Sequence, residues 1–207
     1  MEIFYKLKKI DFKSSELISS FQNLPLDRYT KENYDYRKRR YSLGQLNYNQ
    51  TVNWLNNNVF FQSIETNLYN GNLNRNFESL EDNVLQEIEK HILPNILVEL
   101  PKFEYQIGIH QIRVFCKNNN LGLPAPEGIH QDGFQFIAIC CIASKNIKGG
   151  VTQIFDQDKI TVAYEKKLTP NDLFIFNDKI FYHFTTPFHS DVFNFEAYRD
   201  VFVFTFK

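Results

Sequence analysis

The N-terminal half of the chain mixes short helical patterns with extended segments. Leu17, Ile18 and Phe21 recur at helical spacing, which predicts a short helix over residues 14–23, opened by Ser14 or Ser15 and ended by the proline at position 25. Residues 38–48 and 59–64 favour extended structure, and the Asn-rich stretch 49–75 favours loops and turns. Each of these predicted elements is short, so we expect the N-terminal half to mix helices with extended segments and loops.

A second helix is predicted from residue 79 onward. The Ser79 hydroxyl is suited to cap it, and the acids Glu81 and Asp82 fall in its first turn. Apolar residues then recur at helical spacing, at Val84, Leu85, Ile88, Ile92 and Leu93. Pro94 is expected to kink or divide this helix before it resumes toward Leu100.

From residue 105 onward the pattern changes to short β-rich runs separated by turn signals. The predicted strands are Tyr105–Lys117, Phe134–Ser144, Val151–Phe155, Ile160–Glu165, Leu173–Asn177, Phe181–Thr186 and Val201–Phe206. Many short strands with regular punctuation indicate an antiparallel sandwich or barrel. We therefore predict an α+β, mainly β fold in a single domain, 1–207, whose mixed part (1–103) packs on a β core (104–207).

Composition narrows the classes of partner. With 207 residues, of which 43% are hydrophobic and 23% charged, the chain can bury one substantial core. Its 21 phenylalanines predict either a Phe-filled β core or an apolar pocket. The formal net charge is −1 and the one dense basic cluster is Arg37–Arg40, so the basic face that nucleic acid requires is not expected.

The cysteines and the N-terminal segment indicate in which cellular compartment the protein is expected. Cys140 and Cys141 would point to opposite faces of a strand, so they are poor disulfide partners, and an odd set of three with Cys116 favours reducing conditions. Residues 1–6 become charged at once, and no apolar run approaches a membrane span. We expect a cytoplasmic protein without a membrane partner.

The segment 126–133 carries the most informative chemistry. His130 and Asp132 are two residues apart, a spacing that puts both side chains on one face of a strand. An imidazole nitrogen and a carboxylate oxygen converging there would supply two adjacent positions of a metal site. A second histidine would complete the facial triad typical of iron(II) oxygenases, although zinc enzymes also use these ligands. The H-x-D pattern alone is weak, because it often occurs by chance.

Two downstream residues strengthen this interpretation. His183 lies on a predicted strand, and Arg199 precedes the apolar run 201–206. A buried arginine offers two parallel donors to the carboxylate of a cosubstrate. The alternative for Arg199 is a surface ion pair with Glu196 or Asp200.

The order H-x-D, H-x-x-T-P, then arginine resembles the 2-oxoglutarate/iron(II) dioxygenase superfamily. More specifically, the chain resembles the bacterial free-amino-acid hydroxylases, the group that includes L-isoleucine 4-hydroxylase. The resemblance covers roughly residues 35–207 and is carried, in order, by the blocks at 37–42, 107–113, 128–132, 183–187 and 196–201. The last blocks are specific, and the first is weaker.

The resemblance implies a double-stranded β-helix (jelly-roll, cupin-like) core with N-terminal helices packed against it. It implies His130, Asp132 and His183 as iron(II) ligands, and Arg199 as the anchor for the distal carboxylate of 2-oxoglutarate. H-x-x-T-P favours His183 over His189 as third ligand. The implied reaction uses O2 to hydroxylate a small substrate, a free L-amino acid by this likeness, and releases succinate and CO2.

Two features of the sequence bear on the reaction and on the substrate that the resemblance implies. A halogenase would carry a small residue at position 132, so Asp132 favours hydroxylation. The loop 121–128 departs from the family, which leaves the identity of the substrate open.

Four further residues are candidates for substrate binding. Arg37 or Arg39 could clamp a substrate carboxylate; the alternatives for this cluster are a solvated face or a structural ion pair. His110 and Arg113 lie on a predicted apolar strand, either lining the pocket or forming a hydrogen-bonded pair. Being three residues apart, they should point to opposite faces, so at most one should line the pocket unless a bulge intervenes.

Several other functions compete with a free-amino-acid hydroxylase. One is a non-catalytic β-barrel sensor or binding module that keeps a metal site. Another is a cupin-like isomerase or metal hydrolase, which would not need 2-oxoglutarate. A third is an oxygenase that acts on a tethered or peptidyl substrate. An exposed aromatic patch would also be compatible with a homodimer.

Overall fold

The structure is a computed structural model that describes residues 4–67, 69–117, 120–191 and 195–207. Its helices are α1 (Ser15–Ser19), α2 (Asp82–His91) and α3 (Leu93–Leu97). The strands of the first half are β1 (Tyr5–Lys9), β2 (Arg37–Leu46), β3 (Val52–Trp54), β4 (Val59–Phe60) and β5 (Arg75–Asn76). Those of the second half are β6 (Tyr105–Cys116), β7 (Phe136–Lys145), β8 (Ile147–Gly149), β9 (Val151–Phe155), β10 (Val162–Lys167), β11 (Asp172–Asn177), β12 (Tyr182–Thr185), β13 (Phe188–Ser190) and β14 (Ala197–Phe206).

Seven strands form one large antiparallel sheet in the order β1-β11-β7-β14-β6-β2-β3. A three-stranded sheet, β10-β9-β12, and two strand pairs, β13-β8 and β4-β5, accompany it. All seven strands predicted after residue 105 are present, with ends shifted by a few residues. Residues before 104 supply β1, β2 and β3, so this part of the chain contributes to the large sheet in addition to packing on it.

The alternation of side chains along β14 explains how the large sheet packs on the core with one face and lines a cavity with the other. Phe202 and Phe204 face a core that also contains the helices. Arg199, Val201 and Val203 point the other way and line a cavity. Because successive strand residues face opposite sides, one strand both seals the core and presents a cation to the cavity. Of the two predictions for the phenylalanines, the Phe-filled β core is therefore confirmed.

The helices bury the faces that their apolar spacing predicts. Val84, Leu85 and Ile88 are buried on α2, and α3 adds Leu93 and Ile96 to the same core. The chain divides between α2 and α3 at Ile92, one residue before the helix that contains the proline. The prediction that a proline divides this helix is confirmed, since a proline is tolerated in a first helical turn.

Two predictions about helix ends were wrong. The first helix is only five residues long, and Ile18 on it is 53% exposed instead of sharing the buried face of Leu17. Ser79 does not cap α2, which starts at Asp82 without a side-chain cap. The Ser42 hydroxyl accepts the N–H of Leu80 at 3.0 Å, which ties this segment to β2 and delays the start of the helix.

Strand prediction failed in several places, and the short strands β3, β5 and β8 were also missed. The segment 59–64 is a strand only over Val59–Phe60. β1 was missed because its lysines hide the pattern; it is an edge strand, where lysines discourage pairing with other chains. His189, expected in a loop, lies on β13.

The three cysteines are free, as predicted, and they are buried. In the part of the chain that the structure describes, no helix has the length and apolar character needed to cross a membrane.

Candidate active site

His130, Asp132 and His183 meet in the lining of the cavity, and one potential ligand atom from each lies within 4.8 Å of the others. His130 and His183 form an isolated β-bridge, with reciprocal backbone hydrogen bonds of 3.1 and 2.8 Å. The expectation that His130 and Asp132 lie on a regular strand was wrong, since the bridge is flanked by loop. It is this bridge to β12 that brings the distant histidine beside the H-x-D segment.

The donor set suits a divalent metal ion. The Asp132 carboxylate lies 3.5 Å from His130 Nε2 and 3.4 Å from His183 Nε2. His130 Nδ1 is 2.8 Å from the carbonyl oxygen of Gly128, to which it donates, leaving the lone pair of Nε2 to face the cluster. Two imidazoles and one carboxylate form the ligand set of iron(II) oxygenases.

Electrostatics at the cluster agree with a cation site. Burial alone would raise the pKa of Asp132, but the two imidazoles hold the pKa of this carboxyl well below its usual value. Burial alone would lower the pKa of His183, but the carboxylates of Asp132 and Asp178 raise it to about 10. The carboxylates thus favour positive charge at this position, and a metal ion can supply it when the imidazole loses its proton.

Asp178, which the sequence did not single out, organises the cluster from behind. It is buried after β11 and accepts the backbone N–H groups of Asp132, Gly133 and Phe134 at 3.2, 2.8 and 3.0 Å. Its Oδ1 also lies 3.5 Å from His183 Nδ1, a distance for charge attraction more than for a direct hydrogen bond. One carboxylate therefore orients both halves of the cluster, as partners of metal ligands commonly do.

We expect Asp178→Asn to lower the Fe(II) affinity about 10- to 100-fold, because the amide loses the charge and half of the acceptor capacity that hold the loop and His183. The measurement is an anaerobic Fe(II) titration against a competing chelator. The matched control is Asp158→Asn, at an exposed loop position whose side chain bonds only locally to Ile160 and Thr161. Equal affinity of Asp178→Asn and the wild type would contradict this role.

Gln62 connects the cluster to a second part of the cavity. Its Nε2 donates to Asp132 Oδ1 at 2.8 Å. Its Oε1 accepts from Asn67 Nδ2 at 3.0 Å and from a guanidinium nitrogen of Arg75 at 2.6 Å. Gln62, Asn67 and Arg75 all fall in the Asn-rich stretch 49–75 that the sequence assigned to loops. No local pattern marks Gln62 as part of the site, because its partner Asp132 is distant in the chain.

Arg199 lies on β14 with its guanidinium in the cavity wall. It is 3% exposed, donates to Thr152 Oγ1 at 3.2 Å, and its Nε has no hydrogen-bond partner among the described residues. Burial lowers its pKa, since water is removed from the cation. The alternative that Arg199 forms a surface ion pair with Glu196 or Asp200 was wrong, because Arg199 is buried and Asp200 forms its ion pair with Arg113.

Arg113 is a structural residue, contrary to its candidacy for substrate binding. Its Nε and a terminal nitrogen each donate to the Asp200 carboxylate at 2.7 Å, and it is not among the described residues that line the cavity. His110 does line the cavity. The prediction that at most one of His110 and Arg113 would do so is confirmed.

Arg113→Leu is expected to lower the free energy of unfolding by about 3–5 kcal/mol, because it leaves the buried Asp200 carboxylate without its partner. Urea denaturation measures this loss. Arg28→Leu, at an exposed position, is the control and should change stability by no more than about 0.5 kcal/mol. A stable Arg113→Leu protein with weakened substrate binding would reverse the assignment.

Alternation along β2 sorts the basic cluster into two faces. Arg37 and Arg39 are buried and line the cavity, so a solvated face was the wrong interpretation for them. Arg37 Nε donates to Asp27 at 2.7 Å, which is the structural ion pair that the sequence left open. Arg39 donates to His110 Nδ1 at 2.6 Å. Arg40 points outward toward Glu78 and Glu81.

A family model and a curated relative point to the same family of proteins. The family model for 2OG-Fe dioxygenases matches residues 18–205. The L-isoleucine-4-hydroxylase of Bacillus thuringiensis is 26% identical over 199 residues, which cover 88% of this chain and 80% of that protein.

Two solved structures share the fold. A bsmA homolog from Methylobium petroleophilum PM1 has a TM-score of 0.80 at 23% identity, covering 92% of this chain and 79% of that one. IDO from Bacillus thuringiensis has a TM-score of 0.72 at 20% identity, covering 97% and 90%. With the large antiparallel sheet, these likenesses confirm the predicted mainly β fold with a jelly-roll core.

Proposed function

Because the chain belongs to the 2OG-Fe dioxygenase family, we propose that it hydroxylates an unactivated C–H bond of a small molecule. The cosubstrates are 2-oxoglutarate and O2, and the by-products are succinate and CO2. The observation that carries the proposal is the convergence of two imidazoles and one carboxylate in the same cavity as a buried arginine that has no acidic partner among the described residues. The family also argues against a cupin-like isomerase, a metal hydrolase and a non-catalytic sensor.

His130, Asp132 and His183 would hold the iron(II). Iron(II) bound there, with 2-oxoglutarate and O2, supplies the oxidising chemistry that protein side chains lack. The chain's own task is to orient the reactants and to keep water away from them. Asp178 holds the ligands in place, and the apolar side chains Ile139, Val201 and Val203 line the same cavity.

Arg199 would bind the distal carboxylate of 2-oxoglutarate. A buried guanidinium with free donors gains most from a charged, planar partner, since two parallel hydrogen bonds replace lost hydration. Thr152 Oγ1, at 3.2 Å from the guanidinium, fixes the arginine from one side. Arg199 is unlike Arg37 and Arg113, whose charges are already matched by Asp27 and Asp200.

The proposed substrate is a free L-amino acid. The similarity to an L-isoleucine-4-hydroxylase supports this class, and so do the additional buried cationic groups in the cavity, which suit an organic acid. Of the candidates from the sequence, Arg39 and His110 remain available to a substrate, whereas Arg37 is paired with Asp27. The intact Asp132 favours hydroxylation over halogenation.

A screen of free amino acids, related acids and short peptides tests the proposal. The purified protein, supplied with Fe(II) and 2-oxoglutarate, is assayed for succinate release and O2 consumption, with an anaerobic control. Mass spectrometry should find a product that has gained one oxygen. Stimulation by peptides but not by free amino acids would favour the peptidyl alternative. Failure to consume 2-oxoglutarate and O2 under any condition would refute the proposal.

A further inference from the structure

Besides Arg199 and the paired Arg37, two further buried arginines line the cavity. Arg39 and Arg75 are 7% and 3% exposed, and no carboxylate of a described residue lies within ion-pair distance of either. Each has an Nε without a hydrogen-bond partner in the described part of the chain. Such cations are costly to bury, so a protein normally pairs them.

The two guanidiniums share one wall of the cavity. Phe60 and Arg75 are directly opposite each other in the β4-β5 pair, and the Arg75 guanidinium carbon lies 4.6 Å from the centre of the Phe60 ring. The Arg39 guanidinium carbon lies 5.2 Å from the same ring. Burial is the main reason that the pKa of Arg39 falls to about 9; the charge of Asp27 raises this pKa, and the charges of Arg37 and Arg75 lower it. The two cations therefore repel each other beside one aromatic ring.

The side chains that touch these arginines are neutral and hold them in place. His110 accepts from Arg39, and its ring lies 4.5 Å from that of Tyr41, with which it pairs across β2 and β6. Burial, together with the charge of Arg39, holds the pKa of His110 well below its usual value, so this imidazole adds no charge. Gln62 accepts from Arg75 through its amide oxygen. Both arginines are thus oriented, but among the described residues neither has a carboxylate within ion-pair distance.

We propose that Arg39 and Arg75 form the subsite for the carboxylate of the primary substrate, a small organic acid such as an α-amino acid. The two-sided amide of Gln62 joins this subsite to the Asp132 ligand, so a molecule held at its carboxylate extends toward the metal cluster. Arg199 lies on another strand with another partner, Thr152, and stays available to 2-oxoglutarate. The inference rests on the proposed function for the identity of the metal and cosubstrate.

Binding without turnover tests the subsite. Under anaerobic conditions, the protein loaded with Fe(II) and 2-oxoglutarate is titrated calorimetrically with the free L-amino acids, and then with the carboxamides of those that bind. We expect at least one amino acid to bind, and its carboxamide to bind about 10- to 100-fold more weakly, because a neutral amide cannot match two cations. Arg39→Gln and Arg75→Gln should each weaken the acid about 10- to 100-fold and leave the carboxamide little changed.

Arg40→Gln is the matched control, one residue along β2 with its side chain directed toward Glu78 and Glu81. It should bind the acid as the wild type does. Arg75→Lys should recover part of the lost affinity, and circular dichroism establishes that each variant is folded. If one variant fails to fold, the comparison of acid and carboxamide on the wild type still decides the question.

The subsite is overturned if no amino acid binds, if carboxamides bind as well as acids, or if both arginine variants behave like Arg40→Gln. These outcomes differ from a failure of the proposed function. If the wild type consumes 2-oxoglutarate aerobically but binds carboxamides as well as carboxylates, the subsite is refuted and the proposed function is not. Carboxylate binding that depends on both arginines, without any consumption of 2-oxoglutarate or O2, would refute the oxygenase and keep the subsite.

Discussion

Asp132→Ala is expected to reduce substrate-dependent succinate formation more than about 1000-fold, since several kcal/mol of metal-ion catalysis depend on the ligand set. Asp132 is the single carboxylate of the cluster and lies between the two imidazoles, 3.5 and 3.4 Å from their Nε2 atoms. Without it, two neutral donors remain for a divalent cation. Fe(II) affinity should fall together with turnover, and by more than in Asp178→Asn, which leaves the ligand itself intact.

The test combines anaerobic Fe(II) titration with aerobic succinate release. Asp158→Ala, a change of the same type at an exposed position outside the cavity, should behave like the wild type. Because Gln62 donates to Asp132, circular dichroism of the variant must establish that the fold survives. Retained turnover in a folded Asp132→Ala protein would eliminate Asp132 as a ligand.

Arg199→Gln is expected to raise the KM for 2-oxoglutarate about 100- to 1000-fold, within the 2–5 kcal/mol range for removing one partner of a buried charged pair. The guanidinium is buried, and its Nε has no partner among the described residues. Glutamine keeps part of the shape but neither the charge nor the paired donors. Arg199→Lys should lie between the two, since it restores the charge without the planar fork.

A second cosubstrate separates this role from a structural one. Pyruvate has the 2-oxo acid group but no distal carboxylate, so turnover with pyruvate in place of 2-oxoglutarate should be little affected by Arg199→Gln. If the variant loses pyruvate and 2-oxoglutarate in equal proportion, then Arg199 maintains the cavity instead of recognising the distal carboxylate. Arg28→Gln, at an exposed position, serves as the control for an arbitrary loss of positive charge.

Local patterns predicted the parts of this molecule that depend on sequence neighbours. Val151–Phe155 was predicted as a strand with the same ends that the structure has, because its β-branched and aromatic residues and the glycines that precede it act within a few residues. Alternation also separated His110 from Arg113. The same local rule failed at β1, where three lysines on an exposed edge strand carry no hydrophobic signal.

The sequence by itself determined the strand-rich fold class, the chemical types of the candidate metal-binding side chains and their order along the chain. Only the tertiary structure decided which of those side chains meet. The bridge between His130 and His183, the support from Asp178 and the commitment of Arg37 to Asp27 all join residues on separate elements. The physical reason is that periodicity specifies which face a side chain occupies, whereas strand register and loop closure specify what lies opposite. Arg37 and Arg39 illustrate this. They share one face of β2, yet Arg37 forms an ion pair with a loop aspartate, whereas Arg39 belongs to the subsite proposed for a substrate carboxylate.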